Sequence, residues 1–180
     1  MASGVYYFFG GVLMIVGSLL EFILGNTFPF VVFGSFGAFC LVFAATLTPF
    51  YNSFGAYSPD PSVPSEGLTE PMFLSTFAFF QVYMGVLCFV YLIVSVRTNI
   101  IFFTIFLLLV PAFACLAQYF FSGGADAKML PAAGGLTFVV CLLGWYLFLV
   151  QLLAAVDFPL NLPVGDLSRF VKGASDRKKQ

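Results

Sequence analysis

The stretch from Ile100 to Phe120 decides the fold class. It reads IIFFTIFLLLVPAFACLAQYF and contains no charged residue. A helix of about 20 apolar residues crosses the ~30 Å hydrocarbon layer of a bilayer. Because the apolar residues are continuous rather than alternating with polar ones, the stretch indicates a helix and not one of the ~10-residue strands of a membrane β-barrel. A transmembrane helix is therefore predicted here.

Four further stretches of the chain have the same character. The whole composition agrees with them, since 61% of the 180 residues are apolar, 8% are charged and the mean hydropathy is +1.05. A soluble domain carries about a quarter of its residues charged. We expect an all-α integral membrane protein, with one membrane domain over residues 1–156 and a tail over 157–180. The predicted helices are at about 5–24, 28–50, 72–96, 100–120 and 130–156.

The positive charges predict how the helices cross the membrane. Six of the seven lysines and arginines lie in the Arg97 turn and the tail, and the seventh is Lys128. Because lysine and arginine favour the cytoplasmic side, the tail and the Arg97 turn are expected in the cytoplasm and the acidic loop 51–71 outside. Five spans would then start outside without a signal peptide, which suggests one more helix before the first. The basic residues of the tail are Arg169, Lys172, Arg177, Lys178 and Lys179.

The residue types that catalysis and metal binding require are scarce. The sequence has no histidine, no GxSxG motif and no aspartate inside a predicted span, so it offers no nucleophile with an orienting base. An enzyme is not expected. The four cysteines lie singly in four spans, as small packing residues do, rather than clustered as zinc ligands would be. No metal and no cofactor is predicted. The cysteines are Cys40, Cys88, Cys115 and Cys141.

Small residues gather on the first, second and fifth predicted helices. Membrane helices use such residues to bring their backbones close together. Close helix contacts are therefore expected at these positions: Gly10, Gly11 and Gly17, then Gly34, Ser35, Gly37 and Ala38, then 132–135 with Gly144.

A polar corner separates the first two predicted helices. Glu21 is the only charged residue inside a span, and a carboxylate there is costly unless it is paired, hydrated or protonated, which makes it a functional candidate. It could equally reach the interface or bond a neighbouring helix end. Gly25 can end a helix, Asn26 or Thr27 can cap the next, and Pro29 suits a first turn. The corner is therefore predicted to be a tight hairpin, which either only caps helices or also meets an anion.

Short motifs lie along nearly the whole chain. They are Phe8-Phe9-Gly10-Gly11, Leu20-Glu21-Phe22, Gly25-Asn26-Thr27-Phe28, Gly34-Ser35-Phe36-Gly37-Ala38-Phe39, Arg97-Thr98-Asn99 and Leu162-Pro163-Val164-Gly165-Asp166-Leu167-Ser168. The first four closely resemble the acetate uptake transporter family of the YaaH/SatP type, which includes fungal acetate permeases and proposed ammonia exporters. The last two resemble its fungal branch.

The resemblance implies an architecture and a function. Members of the family have six helices, the first carrying an Asn-Pro-Ala-Pro-Leu-Gly signature that this sequence lacks, so the five spans match helices two to six. Either the start codon was misassigned or the chain is a shortened paralogue. The resemblance implies passage of acetate or a similar monocarboxylate, proton-linked or channel-like, by a homohexamer in the plasma membrane. Two alternatives stay open: a non-conducting assembly partner, and export of ammonia or ammonium.

The resemblance also implies site residues. Phe36, where bacterial relatives have tyrosine, and Leu109 match the apolar constriction of the family's pore. Gly144 matches a position linked to substrate size. Independently of the resemblance, Glu21 is the candidate proton carrier because it is the only charged residue inside a span, and the rest of the expected pathway is Asn26, Thr27 and Phe39. No nucleic-acid partner is expected, because the basic tail is explained by topology and anionic lipid headgroups.

Overall fold

The computed structural model describes residues 2–168, 170 and 171, and these residues are mainly helical. Five helices are long and apolar enough to cross a membrane, which confirms the five predicted spans. The chain divides into two compact units, residues 1–73 and 74–180. Of the basic tail, Arg169 and the residues from 172 onward lie outside the described part. The five helices are Ser3–Ile23, Thr27–Thr46, Pro71–Ser95, Ile100–Phe121 and Met129–Ala155.

The first spanning helix contains a π-helical segment that hydropathy did not predict. Helix α1, Ala2–Val5, leads into the π-helix Tyr6–Leu13, which continues as α2, Met14–Ile23. A π-helix has a wider turn than an α-helix and occurs frequently at functional sites. Here the wide turn carries Gly10 and Gly11, so the widened backbone coincides with the smallest side chains of the segment.

These glycines allow close contact with α3, Thr27–Thr46. A Cβ added at Gly10 would lie 2.7 Å from Cys40 Sγ, and one added at Gly11 would overlap the Leu41 side chain. From α3, a Cβ at Gly37 would lie 2.8 Å from Ile15 Cγ1. The close approach predicted from small residues is therefore confirmed for this hairpin.

Helix α3 ends at Thr46, four residues before the predicted end at residue 50. The reason is Pro49, because a proline disfavours helical dihedrals in the residue before it. Thr48 accordingly has an extended conformation, with φ −93° and ψ 123°. The loop that follows contains three short 3₁₀ turns, Pro49–Tyr51, Gly55–Tyr57 and Pro64–Thr69.

The loop is ordered by its own contacts. Phe54 is buried, and its carbonyl oxygen lies against Gly67, where a side chain would not fit. Asp60 Oδ1 accepts hydrogen bonds from the Ser62 hydroxyl at 2.7 Å and from the Ser62 backbone N–H at 2.8 Å. These two bonds hold the pKa of the Asp60 carboxyl below its ordinary value.

In the second unit, aromatic rings join α4, Pro71–Ser95, to α5, Ile100–Phe121. Phe77 and Phe120 meet edge to face with ring centroids 4.9 Å apart, and Tyr91 and Phe106 lie 5.4 Å apart. Asn99 caps α5, since its side-chain oxygen accepts from the Phe102 N–H at 2.9 Å. These contacts fix α4 and α5 side by side along much of their length.

Helix α6, Met129–Ala155, completes the unit and exposes its small residues. A Cβ added at Gly134, Gly135 or Gly144 would meet nothing within 4 Å. The close approach predicted for these glycines is therefore not found among the described residues.

The tail returns to the start of α5. The Ile100 N–H donates to the Gly165 oxygen at 2.8 Å, and the Leu167 N–H donates to the Thr98 oxygen at 3.0 Å. These bonds flank an antiparallel bridge between Asn99 and Asp166. The hydroxyl of Tyr146 on α6 donates to the Pro163 oxygen at 2.7 Å. The tail thus links the beginning of α5 to α6.

Candidate functional site

The structure brings Glu21 and Asn26 together at the corner between α2 and α3. The Asn26 side-chain amide donates to Glu21 Oε2 at 2.7 Å, and the Asn26 backbone N–H donates to the Glu21 carbonyl at 2.9 Å. Gly25, with φ +79°, makes the left-handed turn between them, and its N–H donates to the Phe22 oxygen at 3.1 Å. This pair of backbone bonds is a Schellman motif, which ends a helix sharply. The corner is therefore an ordered turn in which hydrogen bonds join Asn26 to Glu21.

Of the two residues predicted to cap α3, Asn26 is the one at the N-cap position, but its side chain makes no capping hydrogen bond. The Asn26 side chain instead donates from Nδ2 to Glu21 Oε2 at 2.7 Å, and a hydrogen bond to a charged acceptor is stronger than one between neutral groups. Thr27 is the first residue of α3 and is exposed.

The aromatic candidates lie further along α3. Phe36 and Phe39 are both half-buried. Phe39 joins an aromatic cluster, with its ring 5.8 Å from that of Phe43, which in turn lies 5.0 Å from the ring of Tyr6. The cluster places Phe39 against the π-helical segment of the first spanning helix.

The remaining two candidates lie in the second unit. Leu109 is buried on α5, with 9% of its surface exposed, whereas Gly144 is exposed on α6. Leu109 belongs to the buried face of α5, together with Phe106, Ala112, Phe113 and Ala117.

One polar residue of this unit was missed by the sequence reasoning. Gln81 in α4 is fully buried, and neither its amide nitrogen nor its amide oxygen has a hydrogen-bond partner among the described residues. A glutamine inside an otherwise apolar span is the signal that could have drawn attention to it. The charge that singled out Glu21 within a span is absent from a neutral amide.

Metal chemistry receives no support from the described residues. Within residues 2–168, 170 and 171, no group of three histidine, cysteine, aspartate or glutamate side chains comes close enough to hold a metal ion. The chemistry that the candidate residues can perform is hydrogen bonding and proton exchange at Glu21, with apolar contacts from the aromatic rings.

Five apolar helices with polar residues at their ends and one buried amide define an α-helical integral membrane protein. The sequence matches the model of the GPR1/FUN34/yaaH family over residues 1–169, and the chain belongs to this family. The resemblance seen in the motifs is thereby confirmed.

The chain is similar to three named fungal proteins. Protein alcS of Aspergillus fumigatus is 44% identical over 173 residues, covering 93% of this chain and 64% of the relative. Acetate permease A of Emericella nidulans is 25% identical over 175 residues, covering 95% and 57%. Ammonia transport outward protein 2 of Saccharomyces cerevisiae is 29% identical over 143 residues, covering 79% and 47%. The chain therefore spans less than two thirds of the length of these relatives.

Proposed function

We propose that this chain passes acetate or a similar small monocarboxylate across the plasma membrane, in a proton-linked or channel-like manner. The observation that carries the proposal is the family match over residues 1–169, with an acetate permease among the relatives. A second relative, from Aspergillus clavatus, is named an acetate transporter protein and is 27% identical over 170 residues, covering 91% of this chain and 64% of the relative. Substrate and protons are the expected small partners.

The Glu21–Asn26 corner suits a proton-linked role. The Asn26 amide donates to Oε2 of Glu21, so a proton can join the other carboxyl oxygen without breaking this bond. Glu21 can therefore change its charge while Asn26 and the Schellman turn keep its position. Because an intramembrane carboxylate is by default a functional candidate, Glu21 is the proton carrier in this proposal, with Asn26 as its positioning residue and Thr27 beside them.

The apolar candidates are proposed as the narrow part of the path. Phe36, with Phe39 one turn away on α3, and Leu109 on α5 are each proposed to contribute an apolar side chain to it. A phenylalanine ring lacks the hydroxyl of tyrosine, so the constriction makes no hydrogen bond with a passing acid and gates by excluding water. Gly144 has no side chain, and the space that a Cβ would occupy on α6 is open.

The proposed assembly is a homohexamer with the tail in the cytoplasm. The hydrogen bond from the Leu167 N–H to the Thr98 oxygen supports this orientation, because it joins the tail to the turn that contains Arg97. The described part of the tail, up to residue 168, therefore lies beside the turn that contains Arg97, and positive charges favour the cytoplasmic face.

Uptake of labelled acetate into liposomes that contain the purified 180-residue chain tests the proposal. Uptake should exceed that of empty liposomes and rise when the outside is more acidic. The Glu21→Gln variant keeps an oxygen that accepts from Asn26 but removes the titratable carboxyl, so its uptake should lose most of this pH dependence. Glu66→Gln in the loop is the matched control and should behave as the unaltered chain.

Two outcomes would contradict the proposal. Unchanged pH dependence in Glu21→Gln would remove Glu21 from the proton path. Liposomes whose uptake equals that of empty ones, although the chain is folded and oligomeric, would favour the non-conducting assembly partner.

Export of ammonia is a second candidate function. The observation in its favour is the relative named ammonia transport outward protein 2. Ammonia entering a liposome binds a proton and makes the interior alkaline, whereas acetic acid releases one and makes it acidic. Faster alkalinisation than in empty liposomes after addition of ammonium chloride, without faster acidification after addition of acetate, would support this candidate.

A further inference from the structure

The Gln81 amide is the least satisfied polar group on the buried face of α4. Its exposed fraction is 0%, and both its nitrogen and its oxygen lack a hydrogen-bond partner among the described residues. Buried polar groups are normally hydrogen-bonded, and each specific exception calls for an explanation. In a membrane span the exception is more pronounced, because the surrounding lipid offers no hydrogen bonds either.

The surroundings of Gln81 follow from helix geometry and the contacts of its neighbours. Phe77 lies one turn before Gln81 and Gly85 one turn after, on the same face of α4. Phe77 meets Phe120, and a Cβ at Gly85 would lie 3.4 Å from Phe113 Cβ. Gln81 is therefore at the level of α5 between Phe113 and Phe120, among aromatic rings.

The unsatisfied donor and acceptor of the Gln81 amide indicate which ligand can bind to it. A primary amide offers two N–H donors and an acceptor oxygen. A neutral carboxylic acid presents one acceptor oxygen and one O–H donor with nearly the same spacing as the amide nitrogen and oxygen. One acid molecule therefore satisfies both amide atoms through a pair of parallel hydrogen bonds.

Other forms of substrate fit less well. A carboxylate has acceptors only, so it bonds the Gln81 nitrogen, leaves the Gln81 oxygen unsatisfied and adds a charge to a buried position. Ammonia has a single heavy atom, which cannot make two straight hydrogen bonds to the nitrogen and the oxygen together.

We infer that Gln81 is a binding residue for the neutral, protonated form of a small monocarboxylic acid on its way through the membrane. This inference rests on the proposed function and deepens it, because it names the form in which the substrate passes the interior. The amide is closed off from solvent, so the acid reaches it when the rings around Gln81 move. At Gln81 the proton travels on the substrate and no covalent bond of the protein is made or broken, whereas Glu21, the proposed proton carrier, exchanges that proton with the substrate at the corner between α2 and α3.

Thermal unfolding of the purified full chain in detergent, with and without acetate, tests the inference. A ligand that binds the folded state raises the unfolding midpoint. The neutral fraction of acetate is roughly one in six at pH 5 and one in 500 at pH 7, taking a pKa of about 4.3 as for glutamate. Acetate should therefore raise the midpoint at pH 5 far more than at pH 7 at the same total concentration.

The Gln81→Leu variant separates binding from structure. Without acetate its midpoint should be equal to or higher than that of the unaltered chain, because the change removes a buried unsatisfied group. With acetate at pH 5 it should show no additional stabilisation. Gln118→Leu on α5 makes the same chemical change at an exposed site and should keep the full acetate effect.

Each contrary result has a defined meaning. A lower midpoint of Gln81→Leu without acetate would show that Gln81 bonds another part of the protein, and would overturn the inference. Equal acetate stabilisation in Gln81→Leu and the unaltered chain would do the same. Acetate stabilisation that depends on Gln81, in a chain that gives no uptake into liposomes, would sustain this site and refute the proposed transport instead.

Discussion

Gly165 holds the tail against the start of α5, and replacing it with alanine should release this contact. Its φ of +67° lies in the left-handed region, where an alanine costs about 1–2 kcal/mol. An added Cβ would also lie 2.6 Å from Ile100 Cγ2, so the tail must shift. The shift weakens two hydrogen bonds, from the Ile100 N–H to Gly165 and from the Leu167 N–H to Thr98.

The expected size of the effect follows from these contacts. Each hydrogen bond contributes about 1 kcal/mol net, and the exposed position of Gly165 lets water replace part of the loss. We expect the free energy of detaching the tail to fall by about 2–3 kcal/mol, which corresponds to roughly 30- to 150-fold faster exchange of the two amides by local opening.

Hydrogen exchange measured by mass spectrometry on the chain in lipid nanodiscs tests this expectation. Peptides that contain Ile100 or Leu167 should exchange faster in Gly165→Ala. Gly134→Ala is the control, because its added methyl meets open space in α6. Equal protection in Gly165→Ala and the unaltered chain would refute the reasoning, and so would equal acceleration in the control.

Two further predictions concern the ends of helices and the loop. Asn99→Ala removes the oxygen that accepts from the Phe102 N–H, which should cost about 1 kcal/mol and lower the unfolding midpoint by about 2–4 °C; an unchanged midpoint would count against the cap. The Ser62 hydrogen bonds lower the pKa of Asp60. They therefore stabilise the folded loop fully at a pH above the ordinary pKa of aspartate, and this stabilisation is lost as the pH falls through the lowered pKa of Asp60. Ser62→Ala should move the pKa of Asp60 towards its ordinary value in an NMR titration, and identical titration curves would contradict this.

The helices were predictable because hydropathy depends on local sequence. All five spans were placed within a few residues, except the end of α3, where Pro49 stops the helix at Thr46. The π-helical segment could not be predicted, since its residues are as apolar as those of an α-helix. The wide turn carries Gly10 and Gly11, which contact α3. These contacts join residues about 30 positions apart in the sequence, so no local pattern reveals them.

The polar features were predictable only in part. Glu21 and Gly25 were identified from charge and turn chemistry, but the pairing of Asn26 with Glu21 depends on how the folded corner orients the Asn26 side chain. The bridge between Asn99 and Asp166 joins residues far apart in the sequence, so no local pattern reveals it. Gln81 was missed because burial without a partner is a property of the packed structure.

The central claim is tested most directly by the internal pH of liposomes that contain the purified chain and an entrapped pH-sensitive dye. After rapid addition of acetate at equal external pH, the interior should acidify faster than in empty liposomes, because each acid molecule that enters releases a proton. Acidification no faster than in empty liposomes, with faster alkalinisation after addition of ammonium chloride, would contradict acetate passage.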